Sequence, residues 1–288
     1  MLELGLSTCG FKPNEENFEA LASAGIKNAE ISVAFEEYPN LNHEEIKNAA
    51  DKTGVKLWSY HLPFSNAKTF DIASLDEEMR INTVKSLVEY IKLGADIGID
   101  KFVLHPCGEP KSSEGGVREE EICRSMQSLD YLAEIAAHEG AVIAVEDLPR
   151  SCLANTSDEL LRLISANDKL RVCFDTNHLL TENPVDFINK LGDKIITTHV
   201  SDFDFINERH WLPGEGKLDW QALYSALIEK GYRGPWLYEI SLVPNPKTMD
   251  RRTLEFSDFY NNAMEIFEGK QPTPIGSPKE NLGMWGVK

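Results

Sequence analysis

The chain has 288 residues and a formal net charge of -18, from 29 basic and 47 acidic side chains. Hydrophobic residues make up 42% and charged residues 26%, which is ample material for a large core. An acidic surface without a basic cluster repels nucleic acid and anionic membrane, so neither is expected as a partner.

The five cysteines are an odd number with no C-x-x-C pair, a usage that fits a reducing compartment better than a disulfide framework. The N-terminus lacks a basic region followed by an apolar stretch, and no apolar run is long enough to span a bilayer. A cytoplasmic protein is therefore expected.

Short apolar runs alternate with longer helical stretches along the chain. "LELGLST" (2–8) precedes a helix in which Phe18 and Leu21 recur at helical spacing before a glycine stop. "KNAEIS" (27–32) precedes a helix near 43–53. "VKLWSYH" (55–61) leads to a long helix near 75–97, with Ile81, Val84, Leu87, Val88 and Ile91 on one face. "KFVLH" (101–105), "AVIAVED" (141–147), "RVCFD" (171–175), "KIITTHV" (194–200) and "PWLYEI" (235–240) are followed by helices near 118–139, 157–166, 184–191, 219–230 and 251–267.

Regular strand–helix alternation predicts a parallel sheet, and eight units predict an α/β fold closed as a (β/α)8 TIM barrel. The barrel is expected over residues 1–268 as one domain, with a non-regular tail over 269–288 rich in Pro and Gly. Trp285 either anchors that tail to a barrel end or to a neighbouring subunit, or sits in a loose extension; an exposed tail permits a homo-oligomer.

Side chains alternate between the two faces of a strand. Counting back from each strand end, His61 shares a face with Ser59 and Leu57, and His105 with Val103. Glu146 goes with Ala144 and Val142, Asp175 with Cys173, His199 with Thr197, and Glu239 with Leu237. The other face carries Phe102, Leu104, Ile143, Val145, Phe174, Ile196 and Tyr238, suited to packing against outer helices. Six strands thus end inward on His, Asp or Glu, at the end of the barrel where active sites lie. Such a gathering needs one or more cations to offset mutual repulsion and desolvation. Glu30, ending "AEIS", is either a seventh inward group or the partner of a lysine. His43 and His138 fall on predicted helices and are assigned no role. The long stretch "SDFDFINERHWLPGEGKLDW" carries Asp202, Glu208, Arg209 and His210. It reads as a functional loop, whose "ERH" is a second-site ligand, an anion clamp or a solvated charge run.

"AVEDLP", "CFDTNH", "THVSD", "ERHWLPGEGKLDW" and "LYEI" together resemble the xylose isomerase-like TIM-barrel superfamily, over about residues 2–267. That group includes sugar and sugar-phosphate isomerases and epimerases, inosose and dehydroshikimate dehydratases, and endonuclease IV. In its sugar epimerases four strand-end residues hold one divalent metal, which the resemblance places here on Glu146, Asp175, His199 and Glu239, with His178 contacting substrate. In endonuclease IV a fuller set binds three zinc ions. Its two early histidines match His61 and His105, and its Asp-Arg-His motif aligns with Glu208-Arg209-His210, Glu standing for Asp. The epimerases often carry a second glutamate six residues after the first; here that position is Cys152.

Three carboxylates and one imidazole favour a hard or borderline ion, Mn²⁺ first, with Mg²⁺, Co²⁺ and Zn²⁺ as alternatives. The expected activity is metal-dependent isomerisation or epimerisation of a sugar or sugar phosphate through a metal-stabilised enediolate. Glu146 and Glu239 are expected to move the proton. His61, His105, His178, Glu208, Arg209 and His210 are expected around the substrate, Arg209 on a phosphate or carboxylate. Trp58, Phe64 and Trp211 are candidates for an apolar wall. The rival readings are a dehydratase of a cyclic polyol ketone and an endonuclease IV-like phosphodiester hydrolase.

Overall fold

The computed structural model describes residues 1–112, 114–280, 282–284 and 286–287. Trp285 lies outside the described residues, so the two expectations for it stay as they are.

Eight strands form one parallel sheet: β1 (Leu4–Ser7), β2 (Asn28–Ile31), β3 (Lys56–His61), β4 (Lys101–Leu104), β5 (Val142–Glu146), β6 (Arg171–Asp175), β7 (Ile195–His199) and β8 (Trp236–Tyr238). The strand order β7-β6-β5-β4-β3-β2-β1-β8 follows the chain around a ring. Val200 closes it, donating to Leu237 at 2.8 Å and accepting from the Glu239 N–H at 3.2 Å. This is the expected (β/α)8 barrel.

The outer helices are α1 (Glu15–Ser23), α2 (His43–Thr53), α3 (Glu77–Asp96), α4 (Gly115–His138), α5 (Ser157–Ile164), α6 (Pro184–Leu191), α7 (Trp220–Glu229) and α8 (Phe256–Phe267). Their starts are written in the sequence. The side chains of Asn14, Asn42, Asp76, Thr156, Asn183 and Asp219 accept N–H groups of the first turn, satisfying donors that have no partner within the helix. The main core lies between sheet and helices, built on Phe102, Phe174, Phe187, Trp220, Trp236 and Phe259. Ile81, expected on the core face of α3, is exposed.

Two bulges correct the alternation read from the sequence. Opposite β2, the register steps from Ala29↔Leu57 to Glu30↔Ser59, so Trp58 is an extra residue. Opposite β6 it steps from Val172↔Ile195 to Cys173↔Thr197, so Ile196 is extra. An inserted residue reverses the facing of everything before it. Leu57 accordingly joins the outer core. Ile196 packs inside the barrel against Val103, Ala144 and Cys173. Beyond each bulge the alternation holds to the strand end.

The tail also departs from expectation. Met249–Asp250 (β9) pairs antiparallel with Ser277–Pro278 (β10), and Leu282–Gly283 (β11) with Gly286–Val287 (β12). Because β9 occupies the residues just before 251, α8 starts later than predicted, behind a capping box of Glu255 and Asp258. Among the described residues no helix is long and apolar enough to cross a membrane, and all five cysteines are unpaired.

Candidate functional site

The strand-end groups meet at the C-terminal mouth of the barrel. Glu146, Asp175, His199 and Glu239 each offer a ligand atom, and these atoms lie within 4.8 Å of one another. Two flanking groups meet the same limit: His61, His105 and Glu146 on one side, and His178, Glu208 and His210 on the other. A cavity of about 400 Å³ opens over them, rimmed by Phe64, Pro149 and Arg150. Phe64 lies on the His105 ring at 4.1 Å between centroids.

The histidines are aimed by their second ring nitrogen. His61 Nδ1 faces the Leu62 carbonyl at 3.0 Å, His178 Nδ1 the Asp147 carbonyl at 2.7 Å, and His210 Nδ1 the Glu239 carbonyl at 3.1 Å. A carbonyl only accepts, so each Nδ1 carries the hydrogen and each Nε2 is left for the cavity. His61 Nε2 then lies 3.2 Å from Glu146, and His178 Nε2 3.7 Å from Asp175 and 3.6 Å from Glu208. His199 is turned the other way. Its Nε2 stands 3.0 Å from Glu30, and its Nδ1 2.8 Å from Glu146 and 3.5 Å from Glu239. Glu30 is thus an inward acid that orients a histidine, also accepting the Ser59 hydroxyl at 2.8 Å, and no lysine pairs with it among the described residues.

Burial drives the electrostatics. It pushes the Asp175 carboxyl up to about 7, helped by Glu239 and Glu146. It opposes charge on His178, but Asp175, Glu146 and Glu208 outweigh it and raise that imidazole to about 10. Glu146 is likewise penalised by burial, yet His199 and His105 hold its carboxyl well below the usual range. Asp175 Oδ2 is buried and has no hydrogen-bond partner among the described residues, and the same is true of Asp147 Oδ2. Clustered buried carboxylates are costly unless balanced by positive charge, and three acids with an imidazole are a donor set that fits a divalent cation.

The seventh loop brings the rest. Asp202 accepts the N–H groups of Phe203, Gly214 and Leu218 and the Trp220 indole, which folds "PGEG" back on itself. Gly214 has φ +95°, and a side chain on Gly216 would strike Asp202, which is why this turn uses glycine. His210 itself has φ 52°, a strained setting of the kind found at functional positions.

Arg209 is placed differently from the expected anion clamp. Its guanidinium is held by Asp204 at 2.9 Å and donates to the Gly283 carbonyl at 2.7 Å, so it ties the tail to the loop. Arg150 instead enters the main cavity, with φ 57°, bound to Glu109 at 2.6 Å, Glu208 at 3.2 Å and Asn207 at 2.7 Å. Nothing in "DLPRSC" marks Arg150 out, because its role comes from loops distant in sequence. Asp147 was also missed, although the paired acids of "VED" were a signal: it accepts the Asp175 N–H at 2.8 Å. Trp58 stands at the far end of the barrel, donating to Thr197 at 3.2 Å, and Trp211 is buried in the seventh loop. Of the three aromatic candidates only Phe64 lines the main cavity.

Comparison with known proteins agrees with this architecture. A family profile described as "Xylose isomerase-like TIM barrel" matches residues 18–258. Fructoselysine 3-epimerase of Escherichia coli O157:H7 is 25% identical over 88% of this chain and 96% of its own length. A 3-dehydro-D-guloside 4-epimerase of Escherichia coli K12 is 29% identical over 69% of this chain and 77% of its own length. The crystal structure of a D-tagatose 3-epimerase-like protein superposes with a TM-score of 0.77 at 23% identity, covering 93% of this chain and 97% of that one.

Proposed function

Because the chain belongs to the xylose isomerase-like TIM-barrel family, we propose that it is a divalent-metal-dependent isomerase or epimerase of a sugar or sugar phosphate. The observation that carries this reading is the quartet Glu146, Asp175, His199 and Glu239, whose ligand atoms lie within 4.8 Å of one another. The set fits a cation chemically: three hard carboxylates, and an imidazole whose tautomer is set from behind by Glu30. Manganese is the ion to test first. A divalent ion held there supplies Lewis acidity toward adjacent carbonyl and hydroxyl oxygens.

The chain's own residues do the rest. Glu146 comes from β5 and Glu239 follows β8, with β6 and β7 between them, so they approach a bound carbon from different directions. One takes the proton beside the carbonyl and the other returns it. Return to the opposite face of the same carbon inverts it, and return to the neighbouring carbon exchanges aldose and ketose. His178 and His210 offer Nε2 to substrate oxygens, and Phe64 shields one side of the cavity. The epimerases among the relatives support this chemistry, and an inosose dehydratase of Clostridium botulinum, 28% identical over 41% of this chain, keeps β-hydroxyl elimination as the alternative.

Glu146→Gln and Glu239→Gln are expected to lower kcat by about 10²–10⁴-fold with circular dichroism unchanged. The readout is solvent deuterium incorporation into a panel of ketoses, their phosphates and cyclic polyol ketones. Near-normal exchange in both variants would remove the proposed proton path.

A second reading, an endonuclease IV-like hydrolase, draws on the two flanking ligand groups around His61 and His210. Elemental analysis separates the readings: a single manganese or magnesium per chain supports the isomerase, roughly three zinc ions the hydrolase.

A further inference from the structure

A second cavity of about 470 Å³ adjoins the first and shares His210 and Glu239 with it. It lies between the loops after β7 and β8, walled by Trp211, Val243, Pro244 and Met249. Each cavity alone falls within the usual range for a small-molecule site. The reacting carbon must sit by Glu146 and Glu239, so a molecule bound there has a second space open to it past Glu239.

The charges of the two cavities decide what fits. Arg150 in the first is bound to Glu109 and Glu208. In the second, Arg251 is paired with Glu215 at 2.6 Å and Arg209 with Asp204 at 2.9 Å. All three guanidiniums are thus neutralised by carboxylates of the protein, in a chain of net charge -18. A phosphate would displace these pairs or sit against Glu239, and both are unfavourable. Neutral oxygen acceptors meet no such obstacle. The accessible polar groups on its lining are the Ser241 hydroxyl and the Asn245 amide, both exposed, and neutral donors and acceptors of this kind suit the hydroxyls of a neutral ligand. The exposed Val243 beside Pro244 gives the apolar edge against which the carbon face of such a ligand rests.

We propose that this second cavity takes a neutral, hydroxylated unit attached to the reacting sugar, so that the substrate is a glycosyl-substituted sugar rather than a free or phosphorylated monosaccharide. The inference rests on the sugar isomerase reading and narrows its substrate class. Ser241 and Val243, both exposed on the cavity rim, control entry of the second unit.

The test compares D-fructose, fructose 6-phosphate and isomaltulose, which carry hydroxyl, phosphate and glucosyl at the same oxygen. The full-length enzyme with Mn²⁺ is assayed by deuterium exchange and by calorimetric binding. Isomaltulose is expected to exceed fructose by at least about tenfold in kcat/KM and in affinity, with fructose 6-phosphate the weakest. Ser241→Trp and Val243→Trp each bring the isomaltulose-to-fructose ratio close to one. If isomaltulose binds no tighter than fructose, if the phosphate ester binds best, or if neither tryptophan changes the ratio, the proposed subsite is wrong. If the binding order holds while no sugar exchanges a proton, the subsite stands and the isomerase reading falls instead.

Discussion

At the N-terminal end of the barrel, Val103, Ala144, Cys173 and Ile196 fill the interior with apolar side chains. Leu237 packs so closely that a Cβ on Gly5 would come within 3.0 Å of it. One alternation further along the same strands, Glu146, Asp175 and His199 occupy the inward positions, equally buried. At the lower end the Trp58 indole donates to Thr197, and Lys101 and Lys56 stand over its ring at 4.1 and 4.7 Å. At the mouth, Asp175 Oδ2 and Asp147 Oδ2 lie buried with no hydrogen-bond partner among the described residues. One sheet therefore carries an apolar floor and an acidic, ligand-bearing mouth, and the packed floor holds the mouth's side chains in place.

A bound cation is expected to offset the mutual repulsion of the mouth's carboxylates. Saturation with Mn²⁺ at about 1,000 times its Kd is expected to stabilise the fold by about 4 kcal/mol, read as a rise in Tm that chelation reverses. An unchanged Tm across Mn²⁺, Mg²⁺, Co²⁺ and Zn²⁺ would mean that the mouth is not a cation site. A smaller effect comes from behind the quartet. Glu30→Gln leaves His199 without its charged acceptor, and metal affinity is expected to fall about 10–100-fold while the apo protein keeps its fold. Calorimetric titration checks this, and unaltered affinity would leave Glu30 a merely structural acid. The smallest effect belongs to the floor. Val103→Ala is expected to cost about 1.5 kcal/mol of stability in denaturant unfolding, with metal affinity retained. Loss of metal binding in that variant would show that floor and mouth are not separable.

Much of the barrel was legible because its punctuation is local. Asn14, Asn42, Thr156 and Asp219 announce helix starts a few residues ahead, and each strand is a short apolar run. The mouth was legible for a related reason: alternation counted backward from a strand end is reliable for the last few residues. It failed at Leu57 and Ile196, where Trp58 and Ile196 are inserted between ladder partners, because no composition rule marks a bulge inside a hydrophobic run. The ion pair of Arg209 with Asp204 was out of reach: Asp204 sits five residues earlier, but only the folded loop sets it against the guanidinium. Arg150 was out of reach altogether, since Glu109, Asn207 and Glu208 converge on it from about forty to sixty residues away.

The small hairpin that ends the chain has a bearing on how this protein is handled. Its Gly283 and Met284 carbonyls are gripped by Arg209 and Asn207, the two neighbours of Glu208. A fusion tag or a protease that disturbs those last residues pulls on both sides of a single acid at the mouth. The damaged protein would still look like an intact barrel by shape and helix content, with the fault confined to how one carboxylate is seated.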